Sequence, residues 1–212
     1  MKIALIGATG FIGSALLKEA LARGHHVTGL VTRPERFTPH PNLKAVKVDA
    51  LDTPELVKRL KGHDAALSAF SGHTQKDVYG YYLRGIRSII DAAKQAGLPR
   101  LLVVGGAGSL EAAPGVQLVD TPDFPAQWKA SALGAREALK LLRPERELDW
   151  TMVSPSAMIT PGKRTGKFRL GVDQLLVNAE GKSEISLEDF SVAMIDELER
   201  PAHRRGRFTV GY

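Results

Sequence analysis

The chain opens on MKIALIGATGFIG, and this stretch constrains the fold more than any other. Lys2 to Ile6 is a short apolar run with β-branched character. It breaks into Gly7-Ala8-Thr9-Gly10-Phe11-Ile12-Gly13, and Ser14 to Arg23 follows with apolar residues at helical spacing. A strand, a glycine turn and a helix in direct succession are the context in which a G-x-x-G-x-x-G spacing becomes a dinucleotide signal. Gly7 can take the backbone angles of a tight strand-to-helix turn. Gly10 has no Cβ, so backbone amides can approach a pyrophosphate, and Gly13 lets the helix lie close on the strand. The start of that helix then offers unpaired N–H groups and a partial positive charge to the phosphates.

The same alternation runs to the end of the chain. Strands are expected at Val27–Val31, Ala45–Val48, Ala65–Ala69, Leu101–Val104, Trp150–Val153 and Arg207–Val210. Helices are expected after Asp52, over Val78–Ala96, over Pro125–Leu142 and over Leu187–Leu198, the last opened by a capping-box-like Ser186-Leu187-Glu188-Asp189. Glu111–Pro125 and Thr160–Leu170 read as loops, and Leu175–Val177 and Glu184-Ile185 as short extended pieces. This order predicts an α/β fold, a Rossmann-like doubly wound parallel sheet with helices on both faces. The chain is read as one domain over residues 1–212, with residues 154–185 forming a small substrate-side lobe.

Bulk properties narrow the class. The 212 residues suffice for one sizeable core. The absence of cysteine excludes a disulfide scaffold, a thiolate nucleophile and a cysteine zinc site, and it fits a cytoplasmic location. No apolar run reaches the ~20 residues of a membrane helix, and the N-terminus has no signal-peptide pattern. The net charge of +6 raises nucleic-acid binding, but the basic residues are scattered apart from 203–207 and 163–169. No nucleic-acid motif accompanies them. A basic mouth for an anionic cofactor is the cheaper explanation.

After the second strand comes Thr32-Arg33-Pro34-Glu35-Arg36, where a dinucleotide fold discriminates the adenosine ribose. No acidic residue stands at the strand end to accept from a 2′-hydroxyl. Thr32, Arg33 and Arg36 instead suit a 2′-phosphate, favouring NADP over NAD. Phe70-Ser71-Gly72-His73 and Gly105-Gly106-Ala107-Gly108-Ser109 lie at carboxyl ends of strands, the edge where ligands bind in open α/β sheets.

GATGFIG (7–13), Asp49, LSAFSG (67–72), LLVVGGAGSL (101–110), LDWTMVSPSAM (148–158) and SLEDFSVAMIDELE (186–199) together resemble the NmrA-like, biliverdin-reductase-B-like atypical short-chain dehydrogenases. The resemblance spans essentially the whole chain. It implies that Thr9, Gly10, Phe11 and Ile12 face the pyrophosphate and that Asp49 and Ala50 sit beside the adenine. It further implies that Ala69 and Phe70 line the adenosine side, that Gly105, Gly106 and Ala107 approach the nicotinamide ribose, and that Ser154 and Pro155 close over the nicotinamide. Two departures stand out. Relatives often carry Arg where this chain has Thr32, and the Tyr-x-x-x-Lys pair of short-chain dehydrogenases is missing: its helix has Trp128-Lys129 and no tyrosine.

Without that tyrosine acid, the candidate groups are Ser109 as proton donor and Lys129 at the ribose. His73 and Trp128 are candidates at the ligand edge, and Arg164 and Arg169 for an anionic substrate. A flavin, quinone or similar planar acceptor needs the weakest protein acid, so an NAD(P)H-dependent reductase of such a small molecule is the expected function. A non-catalytic NADP-binding redox sensor acting through a protein partner is the alternative. Neither a metal site nor a membrane association is expected, and the chain is read as a monomer or weak homodimer.

Overall fold

The structure is a computed structural model describing residues 1–212. The chain runs β1 (Lys2–Ile6), α1 (Phe11–Ala22), β2 (His26–Val31), β3 (Leu43–Lys47), α2 (Thr53–Leu60), β4 (Ala65–Ser68), α3 (Val78–Gln95) and β5 (Leu101–Val104). It continues through β6 (Glu111–Ala113), β7 (Val116–Gln117), α4 (Ala126–Leu142), β8 (Trp150–Pro155), β9 (Met158–Thr160), β10 (Arg169–Gly171), β11 (Glu184–Ser186), α5 (Leu187–Glu199) and β12 (Gly206–Gly211). Eight strands form one sheet in the order β10-β12-β8-β5-β4-β1-β2-β3. All its neighbours pair in parallel except β10, which runs antiparallel along β12. The strand order reverses between β1 and β4, the crevice where doubly wound folds bind ligands. No helix is long and apolar enough to cross a membrane.

Both faces of the sheet are covered, which is why its strands read as continuous apolar runs rather than alternating ones. In β1, Ala4 and Ile6 join a core with Leu56, Ile86, Leu139 and Trp150 under α2, α3 and α4. Ile3 and Leu5 join the opposite core with Leu16, Phe190 and Phe208 under α1 and α5. Successive side chains of one strand thus anchor two layers.

Several sequence expectations shift. The first helix begins at Phe11 rather than Ser14, because Gly10 takes extended angles as its N-cap and Ser14 N–H already bonds Gly10 O at 2.9 Å. Phe11, Ile12 and Gly13 therefore form its first turn. The third strand begins two residues earlier than expected and ends one earlier, at Lys47. The stretch 111–125 holds a small hairpin, β6–β7, and a 3₁₀ turn at Leu118–Asp120. Leu175–Val177 is not a strand, although Leu175 N–H bonds Glu111 O at 2.9 Å. The 154–185 segment does not stand apart as a lobe: Ser154 and Pro155 end the central strand β8, and Arg169–Gly171 lies on the sheet edge.

The basic loop at 160–168 is held down by the start of α5. Ser186 Oγ caps the helix by accepting from Asp189 N–H at 3.0 Å, and it donates to Lys163 O at 2.8 Å. The fully buried Asp189 accepts from the Thr165 and Gly166 amides at 2.8 Å each and from Tyr212 Oη at 2.8 Å. Burial pushes the Asp189 pKa up, but the Thr165, Gly166 and Tyr212 donors outweigh it and hold the carboxyl below its ordinary range. Arg164 and Glu19 pair through two hydrogen bonds of 2.8 Å each. These pairings leave Arg164 unavailable as the expected anion clamp. Arg169 is likewise spent, on the backbone carbonyls of Val177 and Tyr212.

The depressed Asp189 pKa gives stability that is complete above the unfolded value, about 4, and lost as pH falls through the folded one. Asp189→Asn should therefore cost about 1–3 kcal/mol at neutral pH, with the gap to wild type narrowing in acid. A thermal-melt gap unchanged between neutral pH and pH ~3 would contradict this assignment. Gly13→Ala should also destabilise, by about 1–3 kcal/mol, because its Cβ would stand 2.0 Å from Gly7 O.

Candidate cofactor site

The turn after β1 is shaped by contacts that only glycine permits. Gly7 sits at φ +78°, and a Cβ there would lie 2.6 Å from Ala69 O on β4's continuation. Gly13 brings α1 against the Gly7 carbonyl. At Gly10 a Cβ would meet only Gly7 O, at 3.3 Å, so the space beyond it is open. The amides of Phe11, Ile12 and Gly13 precede Ser14, the first amide with an intrahelical partner, and are free donors. No acidic side chain occupies that first turn. This cradle fits a diphosphate, and Thr9, half-buried, stands beside it.

On the adenosine side, Thr32 and Arg33 are exposed just past β2, and Arg36 ends a 3₁₀ turn at Pro34–Arg36. A groove of about 430 Å³ runs between α1 and this loop, lined by Thr9, Ser14, Lys18, Arg36 and His40 over a floor that includes Phe37. No carboxylate lines it. Lys18 was not anticipated: at helical spacing it reads as ordinary solvated surface, and only the packing of the 36–40 loop turns it into a wall. Lys18, Arg33 and Arg36 take part in no salt bridge.

Asp49 is exposed, with one carboxylate oxygen accepting from Leu51 N–H at 2.9 Å and the other free for a donor. Ala50 behind it is buried and Ala69 is half-buried. Phe70 stacks on Tyr81 and Tyr82, at 5.4 Å and 6.1 Å between ring centroids, and only Gly85 leaves it room. The Tyr81 phenol is pushed above its ordinary pKa, first by burial and then by the Asp49 charge. Tyr81 therefore borders the Asp49 corner, a neighbour that sequence spacing did not disclose.

On the other side of the crevice, Gly105 N–H bonds Val153 O at 2.8 Å, and a Cβ there would lie 2.9 Å from Ser154 Oγ. Gly106 and Gly108 lie against the small α4 residues Ala135 and Ala132, and Ala107 between them is half-buried. Ser154 and Pro155 are buried strand residues, so they form floor rather than the expected lid. Ser109 is 2% exposed, and its Oγ accepts from Arg207 Nη1 at 3.2 Å instead of standing open at the mouth. Lys129 is exposed and makes no ion pair. Beside it in the first turn of α4, the exposed Trp128 meets His73 edge-to-face at 5.8 Å, joining the loop after β4 to α4.

The basic run 203–207 does not form a charged patch. His203 pairs with Glu197 at 2.7 Å, Arg204 with Asp149 at 2.6 Å, and Arg207 is buried. Arg207 is set apart from that run by its place in the otherwise uncharged strand Gly206–Gly211.

Comparison with known proteins fits this geometry. A family model described as NAD(P)H-binding matches residues 7–201. The chain is 40% identical over 213 residues to "Uncharacterized protein YwnB" of Bacillus subtilis (strain 168), covering 99% of this chain and 98% of that one. A crystal structure titled "putative epimerase" from Bacteroides thetaiotaomicron superposes with a TM-score of 0.94 at 46% identity, covering 100% of this chain and 96% of that one. Another, titled "a putative NADH-flavin reductase", from Streptococcus pneumoniae TIGR4, superposes with a TM-score of 0.87 at 35% identity, covering 100% and 99%. With its glycine cradle, its doubly wound sheet and a match over nearly its full length, the chain belongs to the NAD(P)H-binding family.

Proposed function

We propose that the protein is a cytoplasmic NADPH-preferring reductase of a planar acceptor such as a flavin or quinone. The observation that carries the cofactor half of this reading is the acid-free groove walled by the unpaired cations Lys18 and Arg36 beside Thr9, with the unpaired Arg33 just before the same turn. A 2′-phosphate there meets the uncompensated charges of Lys18 and Arg36, whereas a 2′-hydroxyl finds no carboxylate in the groove to accept from it. The pneumococcal relative is described as "a putative NADH-flavin reductase", which supports the reaction class, and the charge pattern argues for NADPH in this chain.

When bound, the reduced nicotinamide supplies hydride. The glycine cradle would hold its diphosphate, Asp49 and Ala50 would flank the adenine, and the Gly105–Ala107 turn would carry the ribose. The acceptor half of the reading rests on the exposed aromatic pair His73 and Trp128 at the same edge, which offers a flat ring an apolar wall. The helix that would supply a tyrosine acid has Trp128 instead, so an acceptor that settles its proton with water suits the site.

Purified protein should oxidise NADPH with FMN or a quinone well above the buffer rate. Tight NADPH binding without turnover across a broad acceptor panel would favour the sensor reading. Arg36→Ala should weaken NADPH by ~10–100-fold and leave NADH nearly unchanged; equal losses in calorimetry would remove the 2′-phosphate assignment. Gly10→Ala should keep the thermal stability within about 1 kcal/mol yet weaken both cofactors at least ~10-fold, since its Cβ points into open space where the diphosphate lies.

A further inference from the structure

The groove beside Thr9 is larger than the group assigned to it. It encloses about 430 Å³, whereas a phosphoryl group of five heavy atoms fills only ~150 Å³ even at a water's share of ~30 Å³ per atom. Asp49 and Ala50, the expected neighbours of the adenine, are not among its walls, so the nucleoside leaves the remainder free. One wall follows a single stripe of α1: Ser14, Leu17, Lys18 and Leu21 stand at i, i+3, i+4 and i+7. At ~1.5 Å per residue that stripe is ~10 Å long. The groove therefore runs from the glycine cradle down the helix to Leu43, the first residue of β3.

Its rim and its floor differ in chemistry. The exposed rim carries Lys18, Arg36 and His40. His40 Nδ1 accepts from Asn42 N–H at 3.1 Å, so in the neutral ring Nε2 holds the proton and adds a further donor. The floor is carbon: Leu17, Leu21, Phe37 and Leu43 are half-buried, packed on the core beneath α1 yet still lining the groove. Phe37 is seated by Gly29, where a Cβ would stand 2.5 Å from its ring. The apolar floor is thus fixed by the sheet.

We infer that the groove between α1 and the 36–40 loop binds a medium-chain carboxylate, with its head on Lys18 and Arg36 and its alkyl chain over Leu17, Leu21, Phe37 and Leu43. Cations beside an acid-free, carbon-floored groove match an anion that carries its own apolar tail. A protein partner matches less well. A standard interface draws on ~20–30 residues a side, and twelve line this groove; a peptide's backbone amides would also go unpaired over the carbon floor. The head takes the same cations as the 2′-phosphate of the reading above, and one consequence rests on that reading: the acid displaces NADPH and leaves NADH in place. Accumulated acid then turns the protein from one nicotinamide cofactor to the other.

Calorimetry of the full-length protein without cofactor, titrated with hexanoate, octanoate and decanoate below their micelle-forming concentrations, reads the groove directly. Affinity should rise ~2–4-fold per added methylene, and octanol, which lacks the charge, should bind at least ~10-fold more weakly than octanoate. Decanoate should raise the apparent Kd for NADPH and not that for NADH. Lys18→Ala should weaken decanoate and NADPH together. Leu21→Gln should weaken decanoate ~10-fold and leave NADPH unchanged, and Leu17→Gln decides if Leu21→Gln fails to fold. Equal affinity along the acid series, or wild-type decanoate binding in the leucine variant, overturns the groove. Displacement of NADH as strong as that of NADPH, or decanoate binding unmoved by Lys18→Ala, overturns the placement of the head. An Arg36→Ala protein weakened toward decanoate but not toward NADPH removes the 2′-phosphate assignment and leaves the acid site standing.

Discussion

The Gly13 Cα resting against the Gly7 carbonyl is the contact on which the rest of the molecule depends. A Cβ at Gly13 would lie 2.0 Å from that oxygen, so only glycine lets α1 come this close to the end of β1. The approach turns the first amides of α1 toward the crevice between β1 and β4, where the strand order reverses. It also seats Leu16 and Ala20 against the sheet, in the same core as Phe190 of α5. One steric allowance thus sets both the anion cradle and the position of a helical layer.

Charge is distributed by the same logic. The excess of positive residues does not spread into one basic face. Arg23, Arg100, Arg164 and Arg204 are each tied to carboxylates, several of them within networks that stitch α1, α5 and the sheet edge together. Arg164 illustrates the principle: it lies in a loop that looks poised for a ligand, but Glu19 of α1 stands within reach and claims it. The cations left over include Lys18, Arg33 and Arg36 around the groove beside Thr9. An anion entering that groove meets no carboxylate on its walls.

The crevice edge past β5 and β8 shows how a fold can keep its backbone geometry while changing its chemical groups. The turn at Gly105–Ser109, the end of β8 and the start of α4 converge as the fold requires. Yet the helix brings Trp128 rather than a tyrosine, and the serine at the end of β5 is turned onto Arg207 from the final strand. Placement and function are separable here, as expected when activity resides in a site grafted on a common scaffold.

The order of the seven parallel strands and the five helices, the glycine turn and the caps at Asp52 and Ser186 were legible in the sequence, because each depends on residues adjacent along the chain or on a local period; the short strands β6, β7, β9 and β10 were not. Helix ends were read less well: Gly10 as an N-cap shows itself only through its backbone angles. The partners of Ser109, Arg164, Arg169 and Arg207 were not legible at all. Arg207 and Ser109 are separated by 98 positions and Arg164 and Glu19 by 145. No local pattern records which side chains meet across such spans. Hydrophobic periodicity determined the layers and glycine spacing the cradle, while tertiary packing decided which polar groups are spent on one another and which remain for a ligand.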